Sequence, residues 1–319
     1  MRKNHLIAAA ACVVLVSAGA AAPQPQSGLS AADRATASQY NQKQAIALQV
    51  TLDKEGFSPG EIDGTLGKNT LRALEAYEGA RRAKAVPAAN GGLREHTLTA
   101  EDVAGPFVKL PADMMAKSKL PRLGYTSVLE KLGEQFHIKP ALLRQLNPRK
   151  RFAAGETIKV PDVEVTRIPD TRAEGTPSNS GFGNVLVIVS KSRSALQVLD
   201  PSGQVIFRAA VTTGSEEDPL PIGVWQVNSV NRNPVFNYNP DLFWDANPAH
   251  AKAKIPAGPN NPVGVVWIDL SKEHYGIHGT PEPGKIAYTE SHGCIRLTNW
   301  DALRVAGMVT KGTPVHLVE

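Results

Sequence analysis

Three stretches poor in large apolar side chains cut this chain and forbid a single continuous core. Residues 21–40 collect Ala, Ser, Gln and Pro, residues 85–120 lose periodicity among Pro, Gly, Ala and Lys, and residues 164–183 gather Pro, Gly, Ser and Asn. Each reads as linker, the first as a flexible tether and the second with one short strand at Phe107-Val108. Regular apolar spacing is confined to residues 41–84, 121–163 and 184–319. A chain of 319 residues divided in this way predicts small modules ahead of one larger domain.

Residues 1–20 have the layout of a secretory signal peptide: basic Arg2 and Lys3, an apolar run from Leu6 to Val16, then small residues up to Ala20. The run is too short to span a bilayer, which takes about twenty apolar residues, and no later stretch is apolar enough to cross one. An exported, envelope protein is therefore expected, periplasmic or wall-associated. Lipid attachment at Cys12 is the lesser alternative. The net charge of +5 includes Arg2 and Lys3, and no Lys/Arg run with interleaved aromatics appears, so no nucleic-acid partner is indicated. Of two cysteines, only Cys294 remains after cleavage, with no intramolecular partner for a disulfide.

In the first module Ala45, Leu48 and Leu52 recur at helical spacing, Pro59-Gly60 and Asp63-Gly64 turn the chain, and Thr70 opens a second helix carrying Leu71, Leu74 and Tyr77. The series Leu48-Gln49, Gly56-Phe57-Ser58-Pro59-Gly60, Ile62-Asp63-Gly64, Leu66-Gly67 and Thr70-Leu71 resembles the helical peptidoglycan-binding domains. In the second, Ser127 and Glu130 have capping-box spacing before Leu129, Leu132 and Phe136. Pro140 then starts a helix that Asn147-Pro148 stops, and Ile158 to Pro161 reads as a strand. This order resembles a LysM module of βααβ form, a fold that binds N-acetylglucosamine-containing glycans. A spacer role is the alternative for either module.

Residues 184–319 differ in kind. Val185 to Val189, Ala195 to Leu199, Val205 to Val211, Gly223 to Val230, Val263 to Leu270 and Val315 to Val318 are short β-branched or apolar runs, with a hairpin signal at Asp200-Pro201-Ser202-Gly203. Only Trp300 to Val309, capped by Asn299, reads as a helix. The expected fold is a mostly β domain, a sandwich or a curled sheet.

Within it stand Ile277-His278-Gly279-Thr280 and Ser291-His292-Gly293-Cys294-Ile295-Arg296. A free thiol has a pKa of about 8.5, so a nucleophilic Cys294 needs a base. His278, at the end of a strand, is the candidate. Gly293 lets the backbone turn so that neighbouring amides converge as an oxyanion hole. A zinc site built from His278, His292 and Cys294 would lack its usual fourth ligand, so no metal is expected. His274 reads as a surface or strand-edge residue. Arg296, two residues after Cys294, faces the same side in a regular strand, either as a structural cation or as a contact for a substrate carboxylate.

These two motifs resemble the signature of the L,D-transpeptidase catalytic domain of YkuD type, supported by Thr213-Gly214, Pro221-Ile222-Gly223-Val224 and Trp267. The resemblance implies a β-sandwich-like catalytic fold, Cys294 as nucleophile, and His278 as proton acceptor and donor. It further implies an oxyanion hole from the amides of His292, Gly293 and Cys294, and a Gly279 carbonyl that orients His278. The implied reaction, part of peptidoglycan and cell-wall biogenesis and so of cell shape, releases the terminal D-Ala of a stem tetrapeptide. It forms 3–3 cross-links through a thioester, needs no cofactor, and is inhibited by carbapenems. Water or a lipoprotein lysine as acceptor stays open, and a wall-binding protein without catalysis is the remoter reading. The chain departs from the family pattern at Leu220-Pro221, where Thr-Pro is usual, and at Ala287, where glycine is common.

Overall fold

The computed structural model describes residues 29–83, 88–168 and 184–319; the expected signal peptide, Cys12 and residues 169–183 of the third linker lie outside the described residues. The first unit holds α1 (Ala31–Ala37), α2 (Gln42–Lys54) and α3 (Lys68–Arg81). The end of the expected tether is thus helical. Ser30 and Asp33 close a capping box around α1, which buries no side chain and so has no apolar stripe to betray it. Gln49 in α2 organises the Asp63-Gly64 turn from inside. Its Nε2 lies 2.9–3.0 Å from Asp63 Oδ1, Thr65 O and Thr70 Oγ1, and its Oε1 accepts from the Gly64 amide at 2.9 Å.

The second unit follows as β1 (Leu93–Thr97), α4 (Ala100–Val103), α5 (Met114–Lys117), α6 (Val128–Gln135), α7 (Pro140–Leu146) and β2 (Thr157–Pro161). Residues 93–120 are therefore not linker. β1 pairs antiparallel with β2, Leu93 opposite Pro161 and Thr97 opposite Thr157, and Phe107 and Val108 lie outside the strands. The Leu-Arg-Glu-His-Thr sequence of β1 shows no apolar alternation; its partner supplies the buried Ile158 and Val160. The Ser127 hydroxyl caps α6 by accepting from the Glu130 amide, while the Glu130 carboxylate turns to the Thr126 amide instead of closing the box on Ser127. The two units share one core, Ile46, Val50 and Ile62 packing with Leu132, Phe136, Ile138 and Leu142.

The remaining elements are β3 (Leu186–Ser190), β4 (Ala195–Leu199), β5 (Val205–Ala210), β6 (Gly223–Arg232), β7 (Phe236–Tyr238), β8 (Ala253–Ile255), β9 (Val266–Leu270), β10 (Gly276–His278), β11 (Ile295–Arg296), α8 (Asn299–Met308) and β12 (Pro314–Val318). The domain is mostly β, built on a curled sheet of 8 strands in the order β11-β10-β9-β6-β12-β3-β4-β5 with β7 and β8 paired apart from it as a two-stranded sheet, rather than as a sandwich of two large sheets. The long β6 explains the difference: it pairs with β12 and with β9, and its register shifts between Val227 and Ser229, a bulge that bends the strand. Just past β5, Thr212 bridges to Arg296, so the first and last strands of the order meet. One apolar cluster fills the curl, including Val187, Leu196, Phe207, Ile268, Ile277 and Val305. Thr298, not Asn299, caps α8.

The first unit is welded to this domain. Ser58 N donates to Arg208 O and Arg208 N to Gly56 O, so residues 56–58 cover the outer edge of β5. Behind that edge runs a buried polar seam. Asp53 lies 2.8 Å from Arg304 and 3.0 Å from His137, Ser58 donates to Asp301 at 2.8 Å, and His137 stacks on Trp300. Burial alone would raise the Asp53 carboxyl, but His137 and Arg304 outweigh it and hold the group below the usual carboxylate range.

Candidate active site

Alternation along two short parallel strands assembles the site. Ile277 opposes Ile295 and both are fully buried in the core, so their neighbours His278, Cys294 and Arg296 face the other way, into the cleft. On the far side of β10, Trp267 sits opposite His278 and the rings stack at 5.5 Å. Gly276 leaves room for that indole: a Cβ there would lie 2.6 Å from it. The Gly293 backbone has φ +88°, and a Cβ would meet the Tyr275 ring at 2.5 Å, so the turn before Cys294 requires glycine. Ser291 Oγ donates to Cys294 O at 2.7 Å and closes that turn.

His278 is 4% exposed, and its Nδ1 lies 2.6 Å from Gly279 O. A carbonyl only accepts, so Nδ1 carries the proton and Nε2 is left as the basic atom. Burial, with the Arg296 charge, pushes His278 down to about 3, against the pull of the Gly279 carbonyl. Burial likewise pushes the Cys294 thiol up, against the Gly276 amide and Arg296. At neutral pH the pair is thus thiol and neutral imidazole. The thiol is directed at His274 O, 3.8 Å away, and among the described residues no hydrogen bond joins it to His278. His274 itself is exposed, as expected. Among the described residues the Arg296 guanidinium donates to Glu290 O, and no carboxylate lies within ion-pair distance of it. Nor do His278, His292 and Cys294 gather into a metal-binding group.

The cleft, about 1450 Å³, holds Cys294, His278, His292 and Arg296 together with Asp218, Tyr275 and residues of the 233–262 segment. That segment was not found from the sequence. It carries β7 and β8 and reaches over the Ser-His-Gly-Cys turn, where Asp245 lies 2.8 Å from His292 Nε2 and Phe243 and Trp244 contact the ring. Its aromatic cluster, without period between two strands, was the available signal. The loop before the turn is anchored elsewhere: Ala287 N donates to Thr212 Oγ1 at 2.9 Å, and Asn69 of α3 donates to Ile286 O at 3.0 Å. Ala287 has φ +65°, which accounts for the glycine common at this position in the pattern above. Leu220, at the other departure, is buried in the core.

Comparison with known proteins bears on the same residues. A family model described as YkuD, L,D-transpeptidase catalytic domain, matches residues 184–317. A Bacillus subtilis protein named putative L,D-transpeptidase YkuD is 28% identical over 191 residues, 59% of this chain and 92% of its own length. Its namesake from Bacillus licheniformis is 49% identical over 59 residues, 18% of this chain, so the match spans only 36% of that relative. Among solved structures, L,D-transpeptidase 3 from Mycobacterium tuberculosis, in complex with a faropenem-derived adduct, has 16% identity and a TM-score of 0.36, covering 53% of this chain and 76% of that one. Among the described residues no helix is long and apolar enough to cross a membrane. Residues 184–317 are thus what this chain has in common with the L,D-transpeptidase catalytic domain, by the family model that matches them.

Proposed function

We propose that the chain acts in the cell envelope as a peptidoglycan L,D-transpeptidase with a cysteine acyl-enzyme. Cys294 Sγ attacks the carbonyl between the third residue of a stem tetrapeptide and its terminal D-Ala. His278 Nε2 takes the thiol proton and passes it to the leaving D-Ala amine. An amine of a second stem then attacks the thioester, gives its proton to His278, and expels the thiolate, leaving a 3–3 cross-link. The amides of His292, Gly293 and Cys294 stabilise the oxyanion, a contribution typically worth a hundred- to a thousand-fold per donor. Arg296, which has no carboxylate within ion-pair distance among the described residues, is the contact for a stem carboxylate.

One observation carries this reading: a neutral imidazole whose proton is fixed on Nδ1 by Gly279 O faces the same cleft as Cys294, the one cysteine among the described residues. Because both groups are neutral at rest, proton transfer accompanies attack and no standing thiolate is exposed to oxidants in an exported protein. Intact-mass analysis with a carbapenem and with a tetrapeptide is the test. The wild-type chain is expected to gain one inhibitor mass and to release D-Ala, and Cys294→Ala to do neither. Release of D-Ala by Cys294→Ala would falsify the assignment, and muropeptide analysis separates cross-linking from hydrolysis or lipoprotein attachment.

A further inference from the structure

Helix α6 belongs to the second unit, yet two of its carboxylates end in the catalytic domain. Glu130 and Glu134 are one turn apart and so lie on one face. Glu130 Oε1 accepts from Asn260 Nδ2 at 2.6 Å, on the returning arm of the segment that covers the cleft. Glu134 Oε1 accepts from Asn299 Nδ2, and the Tyr125 hydroxyl bonds the same carboxyl group. Burial pushes Glu134 up to about 8, so at neutral pH the group is mostly protonated and adds little charge to the interface.

Asn299 is where this contact reaches the chemistry. Its side chain is fully buried, Nδ2 is also 3.1 Å from Pro259 O, and Oδ1 accepts from the Val265 amide at 3.1 Å. The same Oδ1 is wedged against Gly264 and Gly279, where a Cβ at either position would come within 2.1 Å of it. The Gly279 carbonyl, in turn, is the group that holds His278 Nδ1. An amide turned over at Asn299 would point its NH2 at the Val265 amide, two donors face to face; the Val265 amide and Pro259 O set its sense, and Glu134, on the same Nδ2, adds the third contact that holds the side chain in place.

We propose that Glu134 is a positioning residue for His278: through Asn299 it sets the backbone at Gly279, and so the direction of the imidazole. The inference rests on His278 being the base of the proposed reaction. A wedge of this kind works through sub-ångström placement, and misplacement of a catalytic group by about 1 Å costs up to about a hundredfold.

The test is carbapenem acylation of Cys294 in the full chain, followed by mass at varied inhibitor concentration, with thermal melting alongside. Glu134→Ala is expected to lower the limiting acylation rate about tenfold or more while the half-saturating concentration holds. Glu134→Gln, which keeps the acceptor for Asn299, is expected to return most of that rate. If Glu134→Ala melts early but is acylated at the wild-type rate, or if Gln rescues no better than Ala, the proposal is overturned. Should Glu134→Ala not fold, Tyr125→Phe removes only a hydroxyl from the same carboxyl; a two- to fivefold slower limiting rate is expected, and an unchanged one overturns the idea. A wild-type chain that takes no inhibitor at all refutes the base itself, and the positioning with it, which is a different outcome from an unaffected variant.

Discussion

Arg296 acts on two groups whose needs differ. Its charge disfavours a proton on His278, which would keep the proposed base free, and favours the thiolate of Cys294, which would ease the proposed attack. His278 at about 3 means that the acid limb of the acylation profile falls well below the ordinary histidine value of 6.5. Replacing Arg296 by Met removes the cation but not the burial. The acid limb is therefore expected to move up, with slower acylation at pH 7, measurable from carbapenem acylation rates taken from pH 7 down to below the wild-type limb. An unmoved limb would mean that burial alone sets the base. Cys294, His278 and Arg296 were legible in the sequence because strand alternation and two glycines dictate their shared face. Asp245 was not, since its link to His292 spans 47 residues and no local pattern announces it.

The loop between β10 and β11 shows what an element owes to its neighbours. Asn69 and Thr212 hold Ile286 and Ala287 from two directions, and they impose a left-handed backbone on an alanine. Ala287→Gly is expected to relieve that strain and raise unfolding stability by about 0.5–1 kcal/mol, read as a higher melting temperature; a lower one would show that the alanine methyl is packed to advantage. The strands of the curled sheet were readable to within a few residues, β4 at its bounds Ala195–Leu199, because each buries an apolar face against one core. β1, α4 and the segment over the cleft were hidden for the opposite reason. β1 takes its register from β2, and α4 rests on a box that Thr99 closes with Asp102 in place of the expected Glu or Gln.

At the scale of the molecule, the expected beads on a string have become a single packed body. The first two units share a core, the first closes the edge of β5, and the second reaches Asn260 and Asn299. Composition could not reveal this, because many of the contacts run between polar residues such as the buried Asp53, His137 and Arg208 and the half-buried Arg304, which in sequence look like surface. The edge contact at residues 56–58 has a further consequence, for solubility. A fragment starting at residue 184 would display an unpaired β5 amide row beside the uncovered Trp300, a template for strand addition by a second molecule. Such a fragment is expected to associate at concentrations where the full chain stays monodisperse by light scattering. Equal behaviour of the two would show the bare edge to be harmless, but if the fragment clumps, the first unit serves as a permanent intramolecular chaperone for the sheet it covers.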